Sequence, residues 1–271
     1  MSTGNSSAQI LDDLALAHAL ADLADAISLD RYQSQDLVVT TKPDNTPVTD
    51  ADRAVETAIR EALGMHRAGD GLVGEEFGSD KGSSGRYWVI DPIDGTKNFM
   101  RGVPSWSTLI ALIERNDDGT EQIVVGVVSA PALFRRWHAA LGLGAYVSLN
   151  GGTPKKIHVS GISTISDASI TYSDFNNWDQ YLPKVQSLLA SANRTRGFGD
   201  FWAHMLVAEG AAEVALEIGV ALWDMAAISI IVTEAGGRFS SIDGVDGPGH
   251  GSGLSTNTIL HQHVLDALRV K

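Results

Sequence analysis

Four short β-patterned segments follow one another at hairpin spacing in the middle of the chain, over residues 106–113, 122–129, 135–140 and 145–149. After them strand and helix patterns alternate. A strand around Ile170 precedes helices over 179–192 and 201–211, and a strand over 214–216 precedes an apolar helix over 225–235. A strand over 238–242 and a helix through Val264 and Leu268 close the chain. A sheet must bury a face and a helix a stripe, so this order predicts stacked layers of sheet and helix. Ahead of the strands, residues 10–31 repeat Leu14, Ala17, Leu20, Ala24 and Ile27 at helical spacing, with Asp12, Asp13, Asp22 and Asp25 assigned to the polar side. A turn-rich segment, Lys42-Pro43-Asp44-Asn45-Thr46-Pro47, leads to a second helix capped by Thr49 or Asp50 and running through Val55, Ile59 and Leu63. Residues 71–73 and 87–90 read as short buried strands, each ending at an acidic turn.

Charge and composition remove several function classes. With 33 acidic residues against 20 basic ones the formal charge is −13, which argues against a nucleic-acid or anionic-membrane partner. The chain has no cysteine, so disulfides, thiolate metal sites and cysteine nucleophiles are excluded. No apolar run approaches the roughly 20 residues of a membrane span. Residues 1–9 lack the basic and apolar stretches of a secretion leader, so the expected location is the cytoplasm. His261 and His263 lack the spacing of a metal site and are expected on the surface of the last helix.

The acids that remain to be explained sit at the ends of apolar elements. In Trp88-Val89-Ile90-Asp91-Pro92-Ile93-Asp94-Gly95-Thr96 an apolar strand runs into two carboxylates three residues apart, stiffened by Pro92. Such a pair suits a hard, oxygen-seeking cation such as Mg²⁺, and Gly95 with Thr96 would add N–H groups to cradle an anion. Gly74-Glu75-Glu76, Asp50-Ala51-Asp52 and Trp223-Asp224-Met225 repeat the arrangement. Each alone is equally an acidic turn or a helix cap. Four together would repel one another unless a multivalent cation sat among them.

These motifs, in this order, closely resemble the inositol monophosphatase family, and Thr233-Glu234-Ala235-Gly236-Gly237 extends the match almost to the end of the chain. The resemblance implies an αβαβα five-layer sandwich and one catalytic domain over 1–271. Its metal-binding half would cover about 1–150 and its substrate-pocket half about 151–271. It implies a Mg²⁺-dependent, lithium-sensitive phosphomonoesterase with two or three ions per site, acting on a small-molecule phosphate ester, usually as a homodimer. Carried onto this sequence, Glu75, Asp91 and the Ile93 carbonyl would hold one ion; Asp91, Asp94 and Asp224 would hold another. Glu75, Thr96 and Asp52 would serve catalysis, Asp52 and Thr96 by orienting the attacking water. Gly95 and Thr96 would bind phosphate. Two-metal in-line displacement follows from such a set.

The substrate's organic part is read elsewhere. Glu217 stands seven residues before Asp224, where the family carries a carboxylate that contacts this moiety. In Gly197-Phe198-Gly199-Asp200-Phe201-Trp202 an acid and two aromatics replace the small residues of the inositol-type enzymes. That run, with residues 206–213 and 20–27, is similar to the family's actinobacterial-type histidinol-phosphate phosphatase subgroup. Hydrolysis of L-histidinol phosphate in histidine biosynthesis is the expectation, with Asp200 and Glu217 facing the substrate's cationic groups. An inositol-1-phosphate phosphatase, a broader sugar or nucleotide phosphatase, and a non-catalytic binding protein on the same fold are the alternatives.

Overall fold

The computed structural model describes residues 7–43 and 45–270; Met1–Ser6 and Asp44 of the expected turn lie outside them. Among the described residues no helix is long and apolar enough to cross a membrane. The larger sheet contains β3 (Gly71–Gly74), β4 (Gly78–Asp80), β5 (Arg86–Asp94), β6 (Ser107–Arg115), β7 (Glu121–Ala130), β8 (Arg135–Ala140), β9 (Gly144–Leu149) and β10 (Lys155–Lys156). It is preceded by a small hairpin of β1 (Val39–Thr41) and β2 (Pro47–Thr49). A second sheet combines β11 (Ser169–Tyr172), β12 (Arg194–Gly197), β13 (Val214–Ile218), β14 (Arg238–Ser240) and β15 (Ser252–Thr256). The helices are α1 (Ser7–Arg31), α2 (Asp50–His66), α3 (Thr96–Met100), α4 (Leu182–Ser191), α5 (Asp200–Ala208), α6 (Leu222–Glu234) and α7 (His261–Leu268).

Alternation along the central strands explains the layers. On β5 and β6, Trp88, Ile90, Ile110 and Leu112 pack under α1 and α2, while Val89, Leu109 and Ala111 face the opposite way, toward α5 and α6. Both faces are therefore buried, which is why β6 and β7 read as nearly continuous apolar runs. Helix α6 is apolar all round because it is sandwiched between the two sheets, with residues 225–232 all buried. The second sheet closes its outer face with α4 and α7 around Ile170, Leu216, Leu254 and Val264. The order is helix pair, sheet, helix pair, sheet, helix pair: the five-layer αβαβα sandwich.

Several details differ from the sequence reading. Residues 179–192 split into a 3₁₀ turn, Asp179–Tyr181, and α4, because Pro183 lacks the N–H needed for a continuous helix but suits a first turn. Helix α5 stops at Ala208, three residues short of the expected end, with the Gly210 backbone in the left-handed region. Asp13, assigned to the polar side of α1, is fully buried because Arg67 and Arg86 both reach it. His261 is likewise buried, not on the surface; the hydroxyls of Ser240 and Thr256 lie 3.1 and 2.9 Å from its ring nitrogens and satisfy both. His263 is exposed as expected.

Candidate active site

Strand β5 does not end at Ile90. It continues to Asp94, with its register against β6 shifting between Asp91 and Asp94. An irregularity of this kind re-aims side chains, and here it brings Asp91 and Asp94 to one cavity. Asp224, in the first turn of α6, joins them: the three carboxylates offer ligand atoms within 4.8 Å of one another. In each, one oxygen is fixed by a backbone N–H. Ile93 donates to Asp91 Oδ1 at 2.9 Å, Phe201 to Asp94 Oδ2 at 2.8 Å, and Ala221 to Asp224 Oδ2 at 2.6 Å. The other oxygen of each remains for a ligand.

Burial first, and then the facing acids, pushes all three carboxyls upward. Asp91 feels Glu75, Asp94 and Asp224; Asp94 feels Asp200, Asp224 and Glu217; both lie well above the ordinary range. Asp224 is pushed up to about 7. Three converging, anchored acids that repel one another are a donor set for a hard divalent cation, so the residues present fit Mg²⁺. Glu75 adds to the set from the end of β3. It lines the same cavity and its charge helps to push the Asp91 carboxyl up, whereas Glu76 does not line it. The Lys42 ammonium, next to the β1–β2 turn, stands 2.7 Å from Glu75 and 2.6 Å from Glu76.

The cavity has a volume of about 400 Å³ and is lined by Glu75, Asp91, Ile93, Asp94, Gly95, Thr96, Asp200 and Asp224 among others. Gly95 caps α3 with φ of 82°, in the left-handed region, and a Cβ there would stand 3.0 Å from the Ser105 carbonyl. Thr96 Oγ1 lies 3.0 Å from the Ile93 carbonyl and 3.3 Å from Asp52 Oδ1. Asp52 is fully buried in the first turn of α2, and its other oxygen accepts from the Thr49 N–H and hydroxyl at 2.8 and 2.5 Å. Burial outweighs those bonds and pushes its carboxyl up to about 6. Glu217 is not on the cavity wall. It stands behind Ser173, which is.

Asp200, expected to face the substrate's cationic groups, does not cap a helix. The cap of α5 is Gly199, and Asp200 is the first helical residue, with φ of 49°. That uncommon conformation turns its carboxylate into the cavity, where Oδ2 accepts from Asn98 Nδ2 at 3.1 Å. Trp202, the second candidate aromatic, packs against Phe198 with the rings tilted and their centres 5.1 Å apart; of the two, only Phe198 lines the cavity.

A model of the inositol monophosphatase family matches residues 11–269. The chain belongs to the inositol monophosphatase family. Two relatives named histidinol-phosphatase, from Mycobacterium tuberculosis and Streptomyces coelicolor, are each 51% identical to it. The alignments cover 95% of this chain with 98% of the first relative and 97% of the second. Among solved structures, an inositol monophosphatase from Zymomonas mobilis superposes with a TM-score of 0.81 at 30% identity, over 98% of this chain and 100% of the other.

Within this inositol monophosphatase fold, sequence reasoning missed the residues that hold the acids. Glu56, one helical turn beyond Asp52, is fully buried; it accepts the N–H groups of Glu76 and Phe77 at 2.7 and 3.1 Å and so fixes the turn carrying Glu75. Gly74 makes room for it, since a Cβ there would stand 2.1 Å from Glu56 Oε1. Asn98, Ser173 and His204 were missed too, because none belongs to an acidic motif. A Glu one helical turn after Asp52, on the same face, was the one available signal.

The raised carboxyls give a pH-dependent response to metal. An acid whose pKa rises on folding adds stability below its unfolded value, 3.8 for Asp, and loses it as the pH climbs through the folded value. The metal-free protein therefore loses this contribution toward and above pH 7, while a bound cation favours the ionised forms. Buried His138 and His261, pushed down to about 4, act in the opposite sense below their unfolded value of 6.5 but equally with and without metal. The increment that Mg²⁺ adds to the melting temperature should thus grow from about pH 6 to about pH 8. Calorimetry with Mg²⁺ or EDTA measures it, and a constant or shrinking increment would refute the donor set.

Proposed function

We propose that this protein is a Mg²⁺-dependent phosphomonoesterase that hydrolyses L-histidinol phosphate to L-histidinol and phosphate, working in the cytoplasm as a homodimer. Asp200 carries the substrate reading: an acid turned by an uncommon backbone conformation into the same cavity as the Asp91, Asp94 and Asp224 cluster. The names of the M. tuberculosis and S. coelicolor relatives agree with it.

Glu75, Asp91, Asp94, Asp224 and the Ile93 carbonyl would hold two or three Mg²⁺. When bound, the ions supply Lewis-acid charge that acidifies water and offsets the negative charge building on the phosphoryl group and leaving oxygen. Gly95 and Thr96 receive the phosphate beside these acids. Thr96 Oγ1 accepts a hydrogen from the attacking water and passes its own proton to Asp52 Oδ1, 3.3 Å away. With its carboxyl pushed up to about 6, Asp52 is ionised at neutral pH and still basic enough to receive that proton. The water oxygen forms the new P–O bond, the bond to the substrate oxygen breaks, and that oxygen takes up a proton as L-histidinol leaves. Asp200 meets the cationic amine or imidazole of the substrate.

The test is phosphate release with Mg²⁺ from L-histidinol phosphate and inositol-1-phosphate in parallel. A kcat/KM ratio of about 100 or more in favour of the first, about 2.7 kcal/mol in transition-state terms, is expected. Comparable values would leave a general phosphatase.

A further inference from the structure

Glu217 is held at both oxygens. Ser173 Oγ donates to Oε1 at 2.6 Å, and His204 Nε2 lies 3.3 Å from Oε2. His204 sits on α5 with no exposed surface, and its Nδ1 lies 2.7 Å from Ser255 Oγ on β15. Ser173 Oγ also accepts the Asp200 N–H at 3.0 Å. A chain of hydrogen bonds thus runs from Ser255 through His204, Glu217 and Ser173 to Asp200. It joins the second sheet to the cavity wall.

The proton count along this chain has one simple solution. With Ser255 donating to Nδ1, His204 is the Nε2–H tautomer and donates to Glu217. The single Ser173 proton goes to Glu217, and one lone pair takes the Asp200 N–H. Ser173 can therefore offer the cavity only an acceptor lone pair. Asp200, with Oδ2 accepting from Asn98, offers acceptors as well. This part of the wall suits a group rich in N–H donors and positively charged. A polyol hydroxyl can donate a single proton to such a wall and brings no positive charge, so it gains less there than an ammonium or imidazolium.

We propose that His204 is a positioning residue: by locking Glu217 against Ser173 it keeps this part of the wall acceptor-only and selects an ammonium or imidazolium group. This rests on the substrate reading above. Without His204 the Glu217 carboxylate is free to leave Ser173, whose hydroxyl can then turn and donate into the cavity.

The experiment compares His204→Phe, His204→Gln and Ser255→Ala with wild type by kcat/KM on L-histidinol phosphate and p-nitrophenyl phosphate, alongside crystal structures. In His204→Phe the ratio of the two values should fall about tenfold or more, chiefly through KM for histidinol phosphate. His204→Gln keeps an N–H for the carboxylate and should recover most of the ratio. Ser255→Ala, a milder change should the Phe variant fail to fold, should lower it in the same direction. Equal losses on both substrates would make His204 a general support of the fold and overturn the proposal. If wild type itself shows no preference, the substrate reading falls, and the crystal structures still decide the positioning. Glu217 bonded to Ser173 in His204→Phe, as in wild type, overturns it.

Discussion

Asp94→Asn is expected to lower phosphate release by about 10³-fold or more at saturating Mg²⁺ while leaving the fold intact. The exchange keeps side-chain volume, and an amide oxygen can still accept the Phe201 N–H that fixes Asp94 Oδ2 now. What it removes is one charge from a set whose ligand atoms converge within 4.8 Å. Lewis-acid stabilisation of a phosphoryl transition state is worth several kcal/mol, and losing about 4 of them converts to that factor. The metal-free variant should moreover melt no lower than wild type, because burial and the facing Asp200, Asp224 and Glu217 penalise ionised Asp94. Activity and stability thus move independently, which separates a ligand from a structural acid. Near-normal turnover of Asp94→Asn would remove Asp94 from the metal site.

The layered fold was legible where burial leaves a periodic trace. Helices α1 and α2 and strands β6–β9 declare themselves because each buries an apolar face or stripe. Asp91, Asp94 and Asp224 were legible for the opposite reason: acids at the ends of apolar elements break the pattern that burial imposes. Two strands of the second sheet left no such trace. Strand β12 is the edge strand Arg-Thr-Arg-Gly, whose charges suit an exposed margin, and β15 is the buried Ser-Gly-Leu-Ser-Thr. The polar residues of β15 serve partners outside the strand: Ser255 meets His204, 51 residues away, and Thr256 meets His261 on α7. Glu56 on an amphipathic helix reads as solvated surface, yet the Gly74 backbone folds against it and the Glu76 and Phe77 N–H groups bond to it, so it is buried. Lys42 comes to Glu75 across 33 residues, a contact that no local pattern announces. Local pattern reports which elements are buried, and contacts made through space decide which polar groups they bury.

Asp200→Asn should reduce kcat/KM for L-histidinol phosphate by about 100-fold while reducing that for p-nitrophenyl phosphate only a few-fold, since the aryl ester carries no cation. Asparagine is the informative replacement. Residue 200 has φ of 49°, a conformation Asn and Asp tolerate better than other side chains with a Cβ, so alanine would add backbone strain to the loss of charge. An amide can also continue to accept from Asn98. Burial first, then the facing acids Glu217 and Asp224, pushes the Asp200 carboxyl up to about 7, so an incoming ammonium or imidazolium meets an acid that its own charge helps to ionise. Truncating one partner of a buried, hydrogen-bonded charge pair costs roughly 2–5 kcal/mol, and the lower part of that range corresponds to the expected factor. Matched losses on the two esters would mean that Asp200 serves phosphate binding or the Asp94 cluster, which the Phe201 N–H ties to the same helix start. A loss confined to histidinol phosphate places the reading of the substrate's cation at Asp200, apart from the carboxylates that hold the metal.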